Sequence, residues 1–155
     1  MTASQRVETF VAFTVQVTAF SSTQIRGTGL AETYLATVDG VVGEVISDEL
    51  LNTYTRIATQ TTEESTEKLR QSVFGSEKLG PVARGIIKLW YIGTWYALPA
   101  AWRERFGPAA HDGTFVPTPD AYVEGLLWPA IGAHPAGAKA QGFGSWQFPP
   151  RIPEF

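Results

Sequence analysis

The aromatic run at residues 86–102 limits the fold more than any other part of the sequence. It reads IIKLWYIGTWYALPAAW and holds three of the chain's five tryptophans. Proline lacks a backbone N–H and is tolerated in the first turn of a helix but not in its interior. The sequence therefore predicts one helix that begins near Pro81, passes through the aromatic run and ends at Pro99.

This predicted aromatic helix would be apolar on nearly all sides. Trp90, Tyr91 and Trp95 fall on one stripe at helical spacing, and Tyr96 falls on the other side. A helix of this kind must be covered all round. Either one face closes the domain's own core while the other meets a permanent partner, or all the rings are internal core. Gly93 would permit a close backbone approach in either arrangement.

Helical patterns also recur in the N-terminal two thirds of the chain. Apolar residues repeat at three- and four-residue steps over residues 30–41, and a further helix is predicted to start at Ser47. Acidic residues near the start of residues 62–74 indicate a helix that stops at Gly75. Residues 7–20 fit a strand and a helix equally well, so periodicity alone leaves them open.

The C-terminal third has a different composition. Eight of the ten prolines follow Gly107, and only residues 118–127 offer another helical pattern. Prolines and glycines exclude regular structure after that, yet the final residues include Phe143, Trp146 and Phe148. Disordered linkers normally lack such residues. Either this tail wraps its own helical core or it lies on another subunit.

Together these patterns predict an all-α protein with a single domain over residues 1–155. The length of 155 residues suffices to bury roughly 70% of the surface that the unfolded chain exposes. We expect a compact helical domain of about five to six helices in all, with its helical core over residues 5–106. Residues 107–155 would add a loop, a short helix and a long irregular tail that wraps a partner.

Composition excludes several classes of protein. The chain has no cysteine, which removes disulfides, thiolate metal sites and cysteine nucleophiles. A formal charge of −3 without a basic stripe argues against nucleic acid as a partner. The uncharged stretch at residues 89–101 is shorter than the ~20 residues that a transmembrane helix needs. The first residues show no recognisable export signal.

Few residues suggest catalysis. His111 and His134 lie in predicted loops without a second histidine at metal-ligand spacing, so local hydrogen bonding is the simpler interpretation. The pattern Gly27-Thr28-Gly29 lacks the third glycine and the preceding strand of a dinucleotide-binding loop. Three glutamates, Glu63, Glu64 and Glu67, are expected to be a solvated helix start. We therefore predict no catalytic, cofactor-binding or metal-binding residues in this chain.

Three short motifs resemble those of a known family. LWYIG at residues 89–93, YVEGLLW at residues 122–128 and a closing W-x-x-P-P pattern formed by Trp146, Pro149 and Pro150 follow one another along the chain. In this order they resemble the small subunit of bacterial FAD-dependent sugar dehydrogenases, the glucose, sorbitol, fructose and gluconate dehydrogenase complexes. The resemblance covers most of the chain and favours a helix for residues 7–20.

The resemblance implies an all-helical, non-catalytic accessory subunit. It would bind and stabilise a large flavoprotein of the glucose–methanol–choline oxidoreductase type, and assist its folding or export. The partner would hold FAD, with or without an iron–sulfur cluster, and a cytochrome c subunit can complete such complexes. The family is periplasmic. Because no export signal is visible here, a cytoplasmic location and transport together with the partner both stay open.

Aromatic anchors are the residues we expect to touch that partner, because obligate interfaces are rich in them. The predicted partner-binding residues are Trp90, Tyr91, Trp95, Tyr122, Trp128, Phe143, Trp146, Phe148, Pro149 and Pro150. The alternative hypothesis is a stand-alone helical enzyme or small-molecule-binding protein that uses the tail as a lid.

Overall fold

The computed structural model describes residues 1–107 and 113–138, and within them it confirms the all-α class. One isolated β-bridge joins Trp95 to Phe115. The helices are α1 (Ala3–Thr18), α2 (Ser22–Gly27), α3 (Ala31–Val42), α4 (Glu44–Ala58), α5 (Thr62–Leu69), α6 (Leu79–Ile92), α7 (Ala100–Phe106), α8 (Asp120–Val123) and α9 (Leu127–Ala130), with a π-helical segment, Arg70–Phe74, directly after α5.

Helix α1 resolves the one segment that the sequence pattern left open. Thr2 and Gln5 form a reciprocal capping box, in which the Gln5 backbone N–H donates to the Thr2 hydroxyl at 3.2 Å. The helix then buries Phe10 and Phe13, which are at most 1% exposed. Capping and burial outweigh the lower helix propensity of its valines and threonines. The helical assignment suggested by the family resemblance is therefore confirmed.

Gly43 separates α3 from α4 and corrects the predicted start of α4. Its φ of +81° is a conformation that glycine adopts readily, so α3 ends there and α4 begins at Glu44, three residues before the predicted Ser47. The Ser47 side chain does not cap the helix. Its hydroxyl instead bonds to Asp39 and accepts from Arg6 at 2.9 Å.

Helix α6 starts as predicted but ends earlier. Pro81 lies in its first turn, and the helix stops at Ile92 instead of at Pro99. Gly93 causes this stop, because it adopts φ +72° and its N–H bonds back to the Leu89 carbonyl. The prediction that one helix carries the whole aromatic run is therefore wrong. Trp95 and Tyr96 lie on an extended segment instead.

The core is formed mainly by α1, α3, α4 and α6, which contact one another. Helix α7 folds back beside the start of α6, where the Trp102 indole N–H donates to the Lys78 carbonyl at 2.7 Å. Gly75 follows the π-helical segment, so the predicted stop there is confirmed. Within residues 1–107 and 113–138, no helix has the length and apolarity needed to cross a membrane.

Candidate functional site

The predicted partner-binding residues fall into three groups in the structure. Trp90, Trp95 and most of Tyr91 are interior, whereas Tyr122 and Trp128 lie near the surface. The remaining five lie outside the described residues: Phe143, Trp146, Phe148, Pro149 and Pro150.

Trp90 is at the centre of the core. Its side chain is 0% exposed, and its ring meets Tyr34 edge to face with 4.8 Å between centroids. The Phe10 ring lies 6.2 Å away on another helix. Side chains from α1 and α3 thus enclose this indole of α6. A large ring buries the most apolar area at such a junction of helices. This corrects the prediction that Trp90 contacts a partner: its side chain contacts the chain's own helices.

Trp95 is also internal, for a different reason. It follows Gly93, so its segment turns back along α6 and pairs with Phe115 through two backbone hydrogen bonds of 2.9 and 3.0 Å. A Cβ on Gly85 would lie 3.0 Å from the Trp95 ring, so the glycine lets the indole pack directly on the backbone of α6. The side chain is 0% exposed, and the partner-binding prediction is wrong for this residue too.

Tyr91 links the end of α6 to the end of α1. Its hydroxyl donates to the Thr18 carbonyl at 2.9 Å, and its ring meets Phe20 edge to face at 6.0 Å. Burial raises the pKa of the phenol, because an apolar environment disfavours the charged form. These contacts are structural. Since part of the side chain remains exposed, the prediction that Tyr91 also contacts a partner stays a prediction.

Tyr122, which is exposed, and Trp128, which is partly buried, lie together near the surface. Their rings meet edge to face at 5.3 Å, and the Trp128 indole N–H donates to the Tyr122 carbonyl at 2.7 Å. Tyr122 remains 42% exposed, and two neighbours, Leu127 and Ile131, are 37% and 44% exposed. We call these four residues the hairpin surface, because the short helices α8 and α9 carry them around a tight turn.

The hairpin surface is held against the end of α6. The Leu126 N–H donates to the Trp90 carbonyl at 3.0 Å. A Cβ on Gly93 would lie 2.3 Å from the Ala121 carbonyl oxygen, and one on Gly125 would lie 2.9 Å from that of Tyr91. The predicted close approach at Gly93 is thus confirmed, with a segment of the same chain. These contacts fix the surface on a helix that is anchored in the core.

An open groove with a volume of about 270 Å³ lies beside the hairpin surface. Phe20 and Thr28 line one part of it, and Leu126 and Trp128 line another. His134 also lines the groove and is exposed, as expected for a loop histidine. Leu127, Ile131 and the walls from α2 were missed by the sequence interpretation. Their only signal was the apolar spacing that follows Tyr122.

A charged cluster around Arg6, in the described part of the chain but away from the hairpin surface, is structural. Arg6 donates to both Asp39 oxygens at 2.7 and 2.8 Å and to Asp48 at 2.7 Å, which ties α1 to α3 and α4. The hydrogen bond to Asp39 is the main cause that raises the pKa of the Arg6 guanidinium. Each charge faces an opposite charge, so the cluster clamps helices and leaves no free acid or base.

The other predicted non-catalytic residues behave as solvated or structural groups where the structure describes them. Glu63, Glu64 and Glu67 are exposed on α5, which confirms the predicted solvated helix start. Gly27 ends α2 instead of joining a strand to a helix. His111 lies outside the described residues, and within the described ones no group of three His, Asp or Glu side chains could hold a metal ion.

The fold and the hairpin surface thus define an all-α domain that presents an apolar aromatic face beside a groove. Comparisons with protein-family models, with curated proteins and with solved structures found no match to this chain.

Proposed function

We propose that this chain is a non-catalytic accessory subunit that binds and stabilises the FAD-containing catalytic subunit of a sugar dehydrogenase. The observation that carries the proposal is the hairpin surface, an exposed aromatic and aliphatic face fixed on the core. Tyr122, Leu127 and Ile131 are each more than one third exposed. Preformed surfaces of this composition favour partner binding, since a rigid aromatic anchor loses little entropy on docking.

The relation between the family-like motifs supports this proposal. Residues 89–93 and 122–128 are distant in sequence but pack together, through the bond from the Leu126 N–H to the Trp90 carbonyl and the approach of Gly93 to Ala121. The first motif serves as the support and the second presents the exposed side chains. The second motif can present its side chains only if the first holds it in place, which is a physical reason for both motifs to occur in one accessory subunit.

The proposed partner is a large flavoprotein of the glucose–methanol–choline type, whose flavin would accept the electrons from the sugar. A cytochrome c subunit would be a third component, and the periplasm the proposed site of action. This chain's contribution is binding. If the hairpin surface binds the folded large subunit and not its unfolded chain, binding shifts the folding equilibrium of the large subunit towards the folded state. The large subunit would then be protected from unfolding.

The alternative function, a stand-alone enzyme or binder of small molecules, has less support. The groove beside the hairpin surface, at about 270 Å³, is just below the usual range of roughly 300–1,000 Å³ for ligand sites. Its titratable lining residues are His134 and Glu124, in a shallow and open setting. The exposed apolar face next to the groove fits a protein partner better.

The proposal is tested by purifying the tagged chain from its source cells and measuring flavin absorbance and sugar-dependent reduction of a dye. We expect a yellow complex that oxidises a sugar, while the chain purified alone from another host shows neither property. A colourless preparation without sugar oxidation, from cells in which the dehydrogenase activity is present, would contradict the proposal. Activity that stays with the lone chain after repurification would favour the stand-alone enzyme.

A further inference from the structure

A second groove lies on another side of the molecule, between α6 and the segment that leads into α7. It consists of two adjoining hollows with volumes of about 230 and 330 Å³. Both hollows have Pro81 and Pro99 in their walls, so they are neighbours on this side of the molecule. We call it the α6–α7 groove, and the residues that matter here are Pro81, Arg84, Lys88, Tyr96, Pro99 and Arg105.

The walls of the α6–α7 groove are rigid. Trp95 packs on the backbone of α6 at Gly85, and this contact holds the neighbouring extended segment against the helix. Trp102 ties α7 to the start of α6 through its 2.7 Å bond to the Lys78 carbonyl. Both indoles are buried. A partner therefore meets a preformed apolar groove, which lowers the entropic cost of binding.

Two cations on the edge of the groove have no carboxylate partner among the described residues. Arg84 and Lys88 are both exposed on α6. The Arg84 guanidinium donates to the Phe74 carbonyl at 3.0 Å, and the Lys88 ammonium lies 5.5 Å from the centroid of the Tyr96 ring. Arg105, at the other end, is paired with Glu77. In a chain of net charge −3, this edge is a local positive site.

The positions of these two residues on α6 indicate the shape of the partner. The Cβ atoms of helix residues four apart, such as Arg84 and Lys88, lie about 5–6 Å apart, and both side chains are long enough to adjust the positions of their charges. In an extended peptide, alternate residues share one face and are roughly 6.6 Å apart, twice the rise per residue. Carboxylates at alternate positions of an extended segment can therefore meet Arg84 and Lys88 together. Apolar side chains of the same segment would contact Pro81, Pro99 and Tyr96.

From this match we propose that the α6–α7 groove binds an extended segment of a protein that carries Asp or Glu at alternate positions between apolar residues. Charge-assisted hydrogen bonds from Arg84 and Lys88 would fix its register. The inference rests on the groove and its charges alone. It holds whether or not the partner at the hairpin surface is a flavoprotein.

Two other occupants fit the charges less well. Residues 139–155 of this chain include Lys139 and Arg151 but only one acid, Glu154, so they lack complementary charge. Nucleic acid binding usually relies on several cations along a stripe, whereas this groove offers two cations without a carboxylate partner in the described part of the chain, beside apolar walls. An acidic protein segment matches both the charge and the apolar walls.

The experiment uses fluorescence anisotropy with a labelled six-residue peptide, GELELG, and the matched peptide GQLQLG, at low salt. We expect GELELG to bind the full chain, and GQLQLG to bind at least about 10-fold more weakly, since each tenfold step is 1.4 kcal/mol. The double variant Arg84→Glu with Lys88→Glu should lose binding of GELELG by a similar factor. Increasing salt should weaken the interaction.

A matched control reverses two exposed cations that do not line the groove, Lys68→Glu with Arg70→Glu, and should bind GELELG within about 2-fold of wild type. The single variant Lys88→Gln provides the same test if the double variant is unfolded by circular dichroism. Equal binding of the two peptides, unchanged binding by the groove variants, or no binding of GELELG overturns the proposal. So does stronger displacement of GELELG by a ten-nucleotide oligothymidylate than by unlabelled peptide.

Discussion

The core around Trp90 and the hairpin surface around Tyr122 are both aromatic, yet one is closed and the other open. Trp90 is 0% exposed and enclosed by Tyr34 and Phe10 from two other helices. Tyr122 has Trp128 on one side and is 42% exposed. Aromatic content alone therefore does not identify an interface. Whether a ring is buried or exposed depends on how many helices of the same chain pack around it.

The largest expected effect comes from removing the central ring of the core. Trp90→Ala should destabilise the fold by about 3–5 kcal/mol, because a large cavity would remain among three helices. Tyr122→Ala should cost less than about 1 kcal/mol, since 42% of the residue is exposed and its ring packs on one side against Trp128. Urea unfolding followed by circular dichroism measures both. Similar costs for the two variants would remove the distinction between core and surface.

The connection between the two regions is tested at Gly93. Gly93→Ala forces a Cβ to within 2.3 Å of the Ala121 carbonyl and places alanine at φ +72°, so we expect a loss of about 2–4 kcal/mol. The control is Gly40→Ala in α3, where nothing lies within 4 Å of the new Cβ. That change should stabilise the protein by about 0.5–1 kcal/mol. If Gly93→Ala leaves the free energy of unfolding unchanged, the segment around Ala121 does not pack on the end of α6 as described.

The sequence predicts helices well where the apolar spacing matches a stripe that the fold buries. Residues 30–41 and the stop at Gly75 are examples, because local spacing and burial there indicate the same element. It fails at residues 93–98, where aromatic residues continue the helical spacing although Gly93 has already ended the helix. Apolar periodicity indicates which residues share a face of a helix. It does not indicate the backbone conformation of a single glycine between two apolar stretches.

The candidate site was less predictable than the fold. Tyr122 and Trp128 could be named from their motif, but Trp90 and Trp95 carry the same kind of signal and are buried. A single sequence cannot distinguish a ring covered by its own chain from one covered by a partner, because both need the same apolar side chain. The exposure of Leu127 and Ile131 depends on how α9 packs in the fold, which apolar spacing alone does not indicate.

Two buried tyrosines give a smaller test of the core. Tyr54 donates its hydroxyl to the Ala12 carbonyl at 2.9 Å, whereas the Tyr34 hydroxyl has no hydrogen-bond partner among the described residues. Tyr54→Phe should cost about 1 kcal/mol, and Tyr34→Phe should be neutral or stabilising by up to about 1 kcal/mol. Thermal unfolding of both variants measures the contrast. A clear loss for Tyr34→Phe would show that its hydroxyl has a partner.

The smallest effect is confined to alkaline solution. Burial raises the pKa of Tyr34, so the folded state retains the phenol proton more strongly than the unfolded state does. This contribution to stability is fully present below the unfolded pKa, about 10, and is lost as the pH rises above it. We expect wild type to lose stability over this range faster than Tyr34→Phe. If chemical unfolding shows that the stability of both proteins changes with pH in the same way, this prediction is wrong.

Our proposal assigns binding of the proposed flavoprotein partner to the hairpin surface and not to the aromatic core. Its most direct test is the affinity of the purified large subunit for the double variant Tyr122→Ser with Leu127→Ser, with Val45→Ser as the control because Val45 is 80% exposed on α4. We predict that the double variant binds at least about 30-fold more weakly, equivalent to about 2 kcal/mol. The control should bind like wild type. Wild-type affinity of the folded double variant would contradict the account.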